Sequence, residues 1–170
     1  MKYFEWFGIP VQCMPDVDMI KQKYLQLSKQ YHPDFYTHAS PEKQAEILAL
    51  STLNNKAYHT LRDPDKRLQY ILKETGHLVE EEKYSLPQVF LMEMMDLHMM
   101  VEELAFDPEK KEEVEEQLRK AETDITEAMI PFLQEVDIMH ASEEDLTAIK
   151  EFYYKRKYLQ RIRGQMEKFA

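Results

Sequence analysis

The residues best suited to chemistry in this chain are His32, Pro33 and Asp34, an imidazole and a carboxylate flanking the residue with the most restricted backbone. Such a pair can act as an acid–base couple or supply two ligands to a metal ion. The surrounding sequence completes neither use. No Ser, Cys or Thr nucleophile is marked out nearby, and one His with one carboxylate is too few ligands for a typical zinc site. The other histidines, at 38, 59, 77, 98 and 140, form no i, i+4 metal-binding pair. A single cysteine, Cys13, can close no internal disulfide; with 11 Met it suits a reducing cytoplasm, and its expected role is that of a small, half-buried side chain. No catalytic residue, metal site, cofactor or enzyme activity is expected.

The elements that position it are helices. Only 3 Gly against 8 Pro in 170 residues, with Ala, Leu, Met, Glu and Lys abundant, is the profile of an all-α protein with short punctuated turns. Pro15, Pro41, Pro64 and Pro108 each stand near a helix start, where the missing N–H costs nothing. The predicted helices run over about 16–32, 41–61, 64–75, 87–104, 108–138 and 143–168, with a short turn over 2–7. On the helix over 16–32, Ile20, Tyr24, Leu27 and Tyr31 make the buried face, and Lys21, Leu25 and Lys29 fall on the far side. Pro33 ends this helix abruptly and presents His32 and Asp34 on a bend beside the basic face. The next helix returns antiparallel, with Ile47, Leu50, Asn54, Ala57 and Leu61 facing inward. Asn54 and Asn55 read as hydrogen-bonding or turn-facing residues.

The net charge of -10 argues against a general nucleic-acid or anionic-membrane binder. The acid is concentrated. Residues 1–77 carry 10 basic and 9 acidic side chains, residues 78–154 carry 6 and 22, and residues 155–170 carry 6 and 1. The segment around 76–85, with Glu80-Glu81-Glu82-Lys83, interrupts the apolar periodicity at the same point and marks a domain boundary. Glu5 breaks the apolar N-terminal stretch, so no secretory signal is expected, and no apolar run approaches the roughly 18 residues of a membrane span. The C-terminal cations Lys155, Arg156, Lys157, Arg161 and Arg163 read as partners for the acids between Glu112 and Glu127.

Beyond the boundary, three helices form a bundle. Val114, Leu118, Ala121, Ile125, Ala128 and Phe132 make one stripe, and Phe152, Leu159, Ile162, Met166 and Phe169 another. The segment 90–104 has two apolar faces: Phe90, Met94, Leu97, Val101 and Leu104 on one side, with Leu91, Met92, Met95 and Met99 opposite. One helix of a three-helix bundle cannot bury both. The surplus is either packed on the N-terminal part or exposed for a partner, and methionine adapts well to a partner surface. Tyr154 and Tyr158 pair at i, i+4 on the last helix and read as a cap on the bundle edge.

The first half of the chain resembles the J domain of DnaJ-class co-chaperones. The resemblance rests on Tyr3-Phe4 with Phe7-Gly8-Ile9, Tyr24, and Tyr31-His32-Pro33-Asp34. It continues through Asn55-Lys56-Ala57-Tyr58, Leu61-Arg62-Asp63-Pro64-Asp65-Lys66-Arg67 and Tyr70. It implies that Lys21, Lys29, His32, Pro33, Asp34 and Asn55 engage a DnaK/HscA-class chaperone and stimulate its ATPase. After this segment the chain has neither a Gly/Phe-rich linker nor Cys-x-x-Cys repeats. It continues into an acidic helical bundle opening on Phe90-Leu91-Met92-Glu93, and so looks like the HscB family of iron–sulfur cluster biogenesis.

That resemblance implies a J domain over 1–76, a linker over 77–86 and a scaffold-binding three-helix bundle over 87–170, arranged as an L. Leu91, Met92, Met95, Asp96, Met99, Glu103 and Tyr154 match the positions that hold an IscU-like cluster scaffold protein. Met99 stands where the family pattern is more acidic, and His98 with Met100 dilutes the charge further, which makes the patch greasier. With one Cys and no Cys-rich N-terminal extension, a bacterial, cytoplasmic member is expected. The competing reading is a J-domain co-chaperone for another client, in which the bundle serves dimerisation or domain packing.

Overall fold

Every regular element of the structure, a computed structural model describing residues 1–79 and 82–169, is helical. Glu80 and Glu81 of the expected linker, and the Phe169 side chain of the expected stripe, lie outside the described residues. The helices are α1 (Lys2–Phe7), α2 (Val17–Gln30), α3 (Pro41–Leu61), α4 (Pro64–Glu74), α5 (Gln88–Glu93), α6 (Met95–Glu103), α7 (Lys111–Glu135) and α8 (Glu143–Met166). This is the all-α architecture expected from composition. Short polar side chains cap the starts. Asp16 accepts from the Asp18 and Met19 N–H groups, Ser40 from Lys43, and Asp63 from Asp65 and Lys66. Ser142 and Asp145 form a reciprocal capping box ahead of α8.

The chain divides into two units. The first comprises Met1–Gly76 with Val136–Ala141, and the second His77–Glu135 with the chain from Ser142 onward.

In the first unit α2 and α3 pack as an antiparallel hairpin, with α1 and α4 closing its open side. Gly8, at φ +61°, ends α1 in the left-handed conformation that a residue with a Cβ adopts only with strain. Phe4 and Phe7 are thereby buried, and Tyr3 stacks on Tyr70 with ring centroids 4.5 Å apart. Asn54, only 1% exposed, is the polar centre of the unit. Its Nδ2 donates to the Tyr24 carbonyl (3.1 Å) and to Ser28 Oγ (2.9 Å), and its Oδ1 accepts from Trp6 Nε1 (3.1 Å). One amide thus ties α3 to α2 and α1. Buried Arg67 donates to the Cys13 and Leu61 carbonyls, fastening the α1–α2 loop to the end of α3.

The second unit is a three-helix bundle. Leu97, Val101 and Leu104 of α6 pack with Val114 and Leu118 of α7 and with Leu159, Ile162 and Met166 of α8. Two expected boundaries change. The helix expected over 87–104 is broken at Met94 (φ −87°, ψ −4°) into α5 and α6. No residue of the run carries a breaking signal; tertiary packing sets the break. Phe90 anchors α5 edge-on against the Tyr158 ring (5.7 Å), whereas α6 is anchored separately in the core. The helix expected over 108–138 begins as a 3-10 turn at Pro108–Lys110 and stops at Glu135. Asp137 ends it by competing for backbone: its carboxylate accepts from the Met139 N–H (3.0 Å) and contacts His140 Nδ1 (2.8 Å).

Two stability measurements follow. Asn54→Ala orphans the Trp6 and Ser28 groups and the Tyr24 carbonyl together, and is expected to cost about 3 kcal/mol in denaturant unfolding. Cys13 is buried, and that burial pushes its thiol up to about 12. At pH 8 the native protein is expected to resist a thiol reagent, labelling at the rate of global unfolding; rapid labelling without unfolding would contradict the burial.

Candidate functional site

Each unit carries one exposed surface that gathers residues singled out above. In the first, α2 ends at Gln30 and Tyr31 caps it, donating its N–H to the Leu27 carbonyl (2.9 Å). Pro33 then begins a 3-10 turn through Tyr36, with His32 as its cap. The Asp34 N–H donates to His32 Nδ1 at 3.3 Å, and the Phe35 N–H to the His32 carbonyl at 3.1 Å. An accepting Nδ1 assigns the neutral ring's proton to Nε2. The Asp34 carboxylate lies 3.7 Å from Nδ1 and is the more exposed member of the pair.

The turn is fastened from both sides. The Tyr36 hydroxyl donates to the Gln30 carbonyl (3.0 Å), and the Gln44 amide donates to the Thr37 and Ala39 carbonyls (3.1 and 3.0 Å). Lys21, Leu25 and Lys29 are exposed along α2. Asn55 is also exposed, and its Oδ1 accepts from the Tyr24 hydroxyl at 3.1 Å, so it marks where the hairpin's outer edge is tied. The turn that carries the tripeptide is thus hydrogen-bonded on both sides and open to solvent, with Lys29 exposed on the last turn of α2 before it.

Phe35 belongs to this surface and was not singled out. It is 74% exposed, its ring centroid 5.5 Å from that of His32. The available signal was a large aromatic placed directly after the bend, with no helix behind it to bury it.

In the second unit, Phe90, Leu97, Val101 and Leu104 face the core, and Leu91, Met92, Met95 and Met99 stand 38%, 64%, 57% and 52% exposed. Asp96 and Glu103 are exposed at the flank, and Glu103 accepts from Lys110 Nζ (3.0 Å). The second apolar face thus lies open.

Tyr154 is placed differently. It stacks nearly flat on Tyr84, with centroids 4.4 Å apart and an interplanar angle of 6°, and burial raises its phenol pKa. Beside it Lys150 donates to Glu82 and holds that carboxyl below the usual range. Together these contacts strap residues 82–84 along α8, a few residues before α5 begins. Of the C-terminal cations, Arg163 grips Glu122 through two hydrogen bonds (3.1 and 2.7 Å), as read from the sequence. Lys157 and Arg161 instead lie over the Tyr153 and Tyr158 rings, and Lys155 pairs with Glu151.

Among the described residues no cluster of three His, Cys, Asp or Glu side chains could hold a metal ion, and no helix is long and apolar enough to cross a membrane.

Comparisons with known proteins match the chain in two successive segments. The family model described as DnaJ domain matches residues 2–70, and the one described as HSCB C-terminal oligomerisation domain matches residues 86–167. The chain is 29% identical over 171 residues to the protein named co-chaperone protein HscB homolog of Vibrio cholerae, covering 99% of this chain and 96% of that one. It is 35% identical over 112 residues to the protein of the same name from Aliivibrio salmonicida, covering 64% of this chain and 66% of that one. Among solved structures, human co-chaperone protein HscB superposes with a TM-score of 0.78 at 25% identity, over 97% of this chain and 80% of that one. Chaperone HscB from Vibrio cholerae superposes at 0.73 and 24% identity, over 99% and 96%.

Proposed function

The chain belongs to the HscB co-chaperone family, a J domain followed by an HscB-type helical domain, and from that premise we propose that it couples a DnaK/HscA-class ATPase to an IscU-like iron–sulfur cluster scaffold. The family is one of co-chaperones, not catalytic enzymes. The observation that carries the reading is the exposed, doubly fastened His32-Pro33-Asp34 turn beside Lys21 and Lys29. A partner presenting carboxylates would meet both lysines and close on Asp34 and Phe35 without the loop having to reorder. Pre-organisation of this kind lowers the entropic cost of docking.

The scaffold is assigned to Leu91, Met92, Met95 and Met99, with Asp96 and Glu103 as polar rim. Tyr154 serves this surface from the strap, where its stacking on Tyr84 orients the chain entering α5. Holding client and ATPase on one chain raises their effective concentration toward each other and so couples hydrolysis to client capture. No cluster ligand belongs to the adaptor in this scheme.

A second reading is favoured by the description of the matching C-terminal family model: the same apolar patch would join two copies of the chain. Sedimentation with and without scaffold separates the two, since scaffold that binds the patch dissociates a dimer built on it.

Asp34→Asn is expected to abolish stimulation of single-turnover ATP hydrolysis by the cognate DnaK-class protein while leaving scaffold affinity unchanged. Stimulation indifferent to that substitution contradicts the J-domain assignment. Leu91→Ala combined with Met92→Ala is expected to weaken scaffold binding at least tenfold, about 1.4 kcal/mol, in calorimetric titration, with basal ATPase stimulation intact.

A further inference from the structure

Beside the open apolar face, between α5–α6 and α7, lies a groove of about 340 Å³ whose chemistry differs from that of the face. Its floor is apolar: Phe90, Met94, Leu97 and Ile125. Its rim carries three exposed carboxylates, Glu93, Asp96 and Asp124, against one ammonium, Lys120. None of the three carboxylates forms an ion pair among the described residues. That sets them apart from Glu103, Glu116, Glu122 and Glu151, each held by a cation of this chain. The groove is also continuous with the methionine patch, because Asp96 borders both, one residue from Met95 on the same helix.

We propose that this groove receives a lysine or arginine side chain of the client that sits on Met92, Met95 and Met99. The inference rests on the scaffold-binding reading above and assigns a charged subsite to it. An apolar floor below an acidic rim matches a long side chain with an aliphatic stem and a cationic head, the stem covering half-buried Met94 and Ile125 while the head stays at the wet edge. An acidic side chain would meet three like charges there, and a short apolar one would leave the carboxylates desolvated without a partner. The methionines supply adaptable contact area, and the groove fixes which residue of the client lies where. The excess of acid over residues 78–154 draws the same kind of client surface in from a distance.

The test is calorimetric titration of the full-length chain with the cluster scaffold protein at low and high salt. Variants are Glu93→Lys with Asp124→Lys, and the milder Glu93→Gln with Asp124→Asn, each checked by circular dichroism. Charge reversal is expected to weaken binding at least tenfold at about 50 mM salt, the neutral pair by roughly threefold, and both differences to shrink markedly at about 500 mM as screening takes over. If both variants bind as the parent does while Leu91→Ala with Met92→Ala still binds weakly, the groove assignment is overturned and the patch assignment stands. A loss equal at both salt concentrations also overturns it, since it is not electrostatic. Failure of the parent chain to bind scaffold at all overturns both.

Discussion

A single buried amide organises the half of the molecule that presents the tripeptide. Asn54 has no water to fall back on, so each of its three hydrogen bonds must be made within the fold, and together they reach Trp6, Tyr24 and Ser28. Apolar contacts alone would let α2 slide or rotate against α3, because leucine and isoleucine faces tolerate several registers at small cost. A hydrogen-bonded amide does not. It fixes where along α3 the end of α2 falls, and therefore where Tyr31 stops the helix and Pro33 begins the turn. The aromatic pairs around it, Tyr24 on Tyr58 and Trp6 against Tyr31, take their positions from the same registration.

In the second unit the governing constraint is a surplus. Segment 90–104 offers more apolar side chain than two neighbouring helices can cover, and the break at Met94 does not remove the excess. Instead it lets α5 settle on Tyr158 while α6 settles in the bundle core, so neither anchor has to be compromised. The uncovered side chains are thereby held on two short, separately fixed helices.

Much of this was legible from residue types and spacing. Pro41 and Pro64 mark their helix starts to the residue because each follows a side chain able to cap, and the two faces of segment 90–104 sort as the helical wheel predicts. The tripeptide's exposure followed from Pro33 alone. What escaped the sequence shares one cause: it depends on partners distant in the chain. The Met94 break comes from competition between two packing sites, and the strap from Tyr84 meeting Tyr154. The end of α7 is set by an aspartate turn that helix propensity does not register. Pro131 is carried inside α7, within the helix expected over 108–138. Phe35 was missed because a lone exposed aromatic has no periodicity to betray it.

The exposed face is built on thioethers, and leucine in the same places would have behaved differently over time. Met92, Met95 and Met99 fill irregular space well, but their sulfur atoms are open to peroxide, which turns each into a polar, chiral sulfoxide. The same three atoms that make the surface mouldable make it erasable by oxidation and restorable by sulfoxide reduction. The carboxylates beside them and the buried Cys13 would pass through such an episode unchanged. Adaptability and redox vulnerability are here one property of one element, sulfur placed where solvent can reach it.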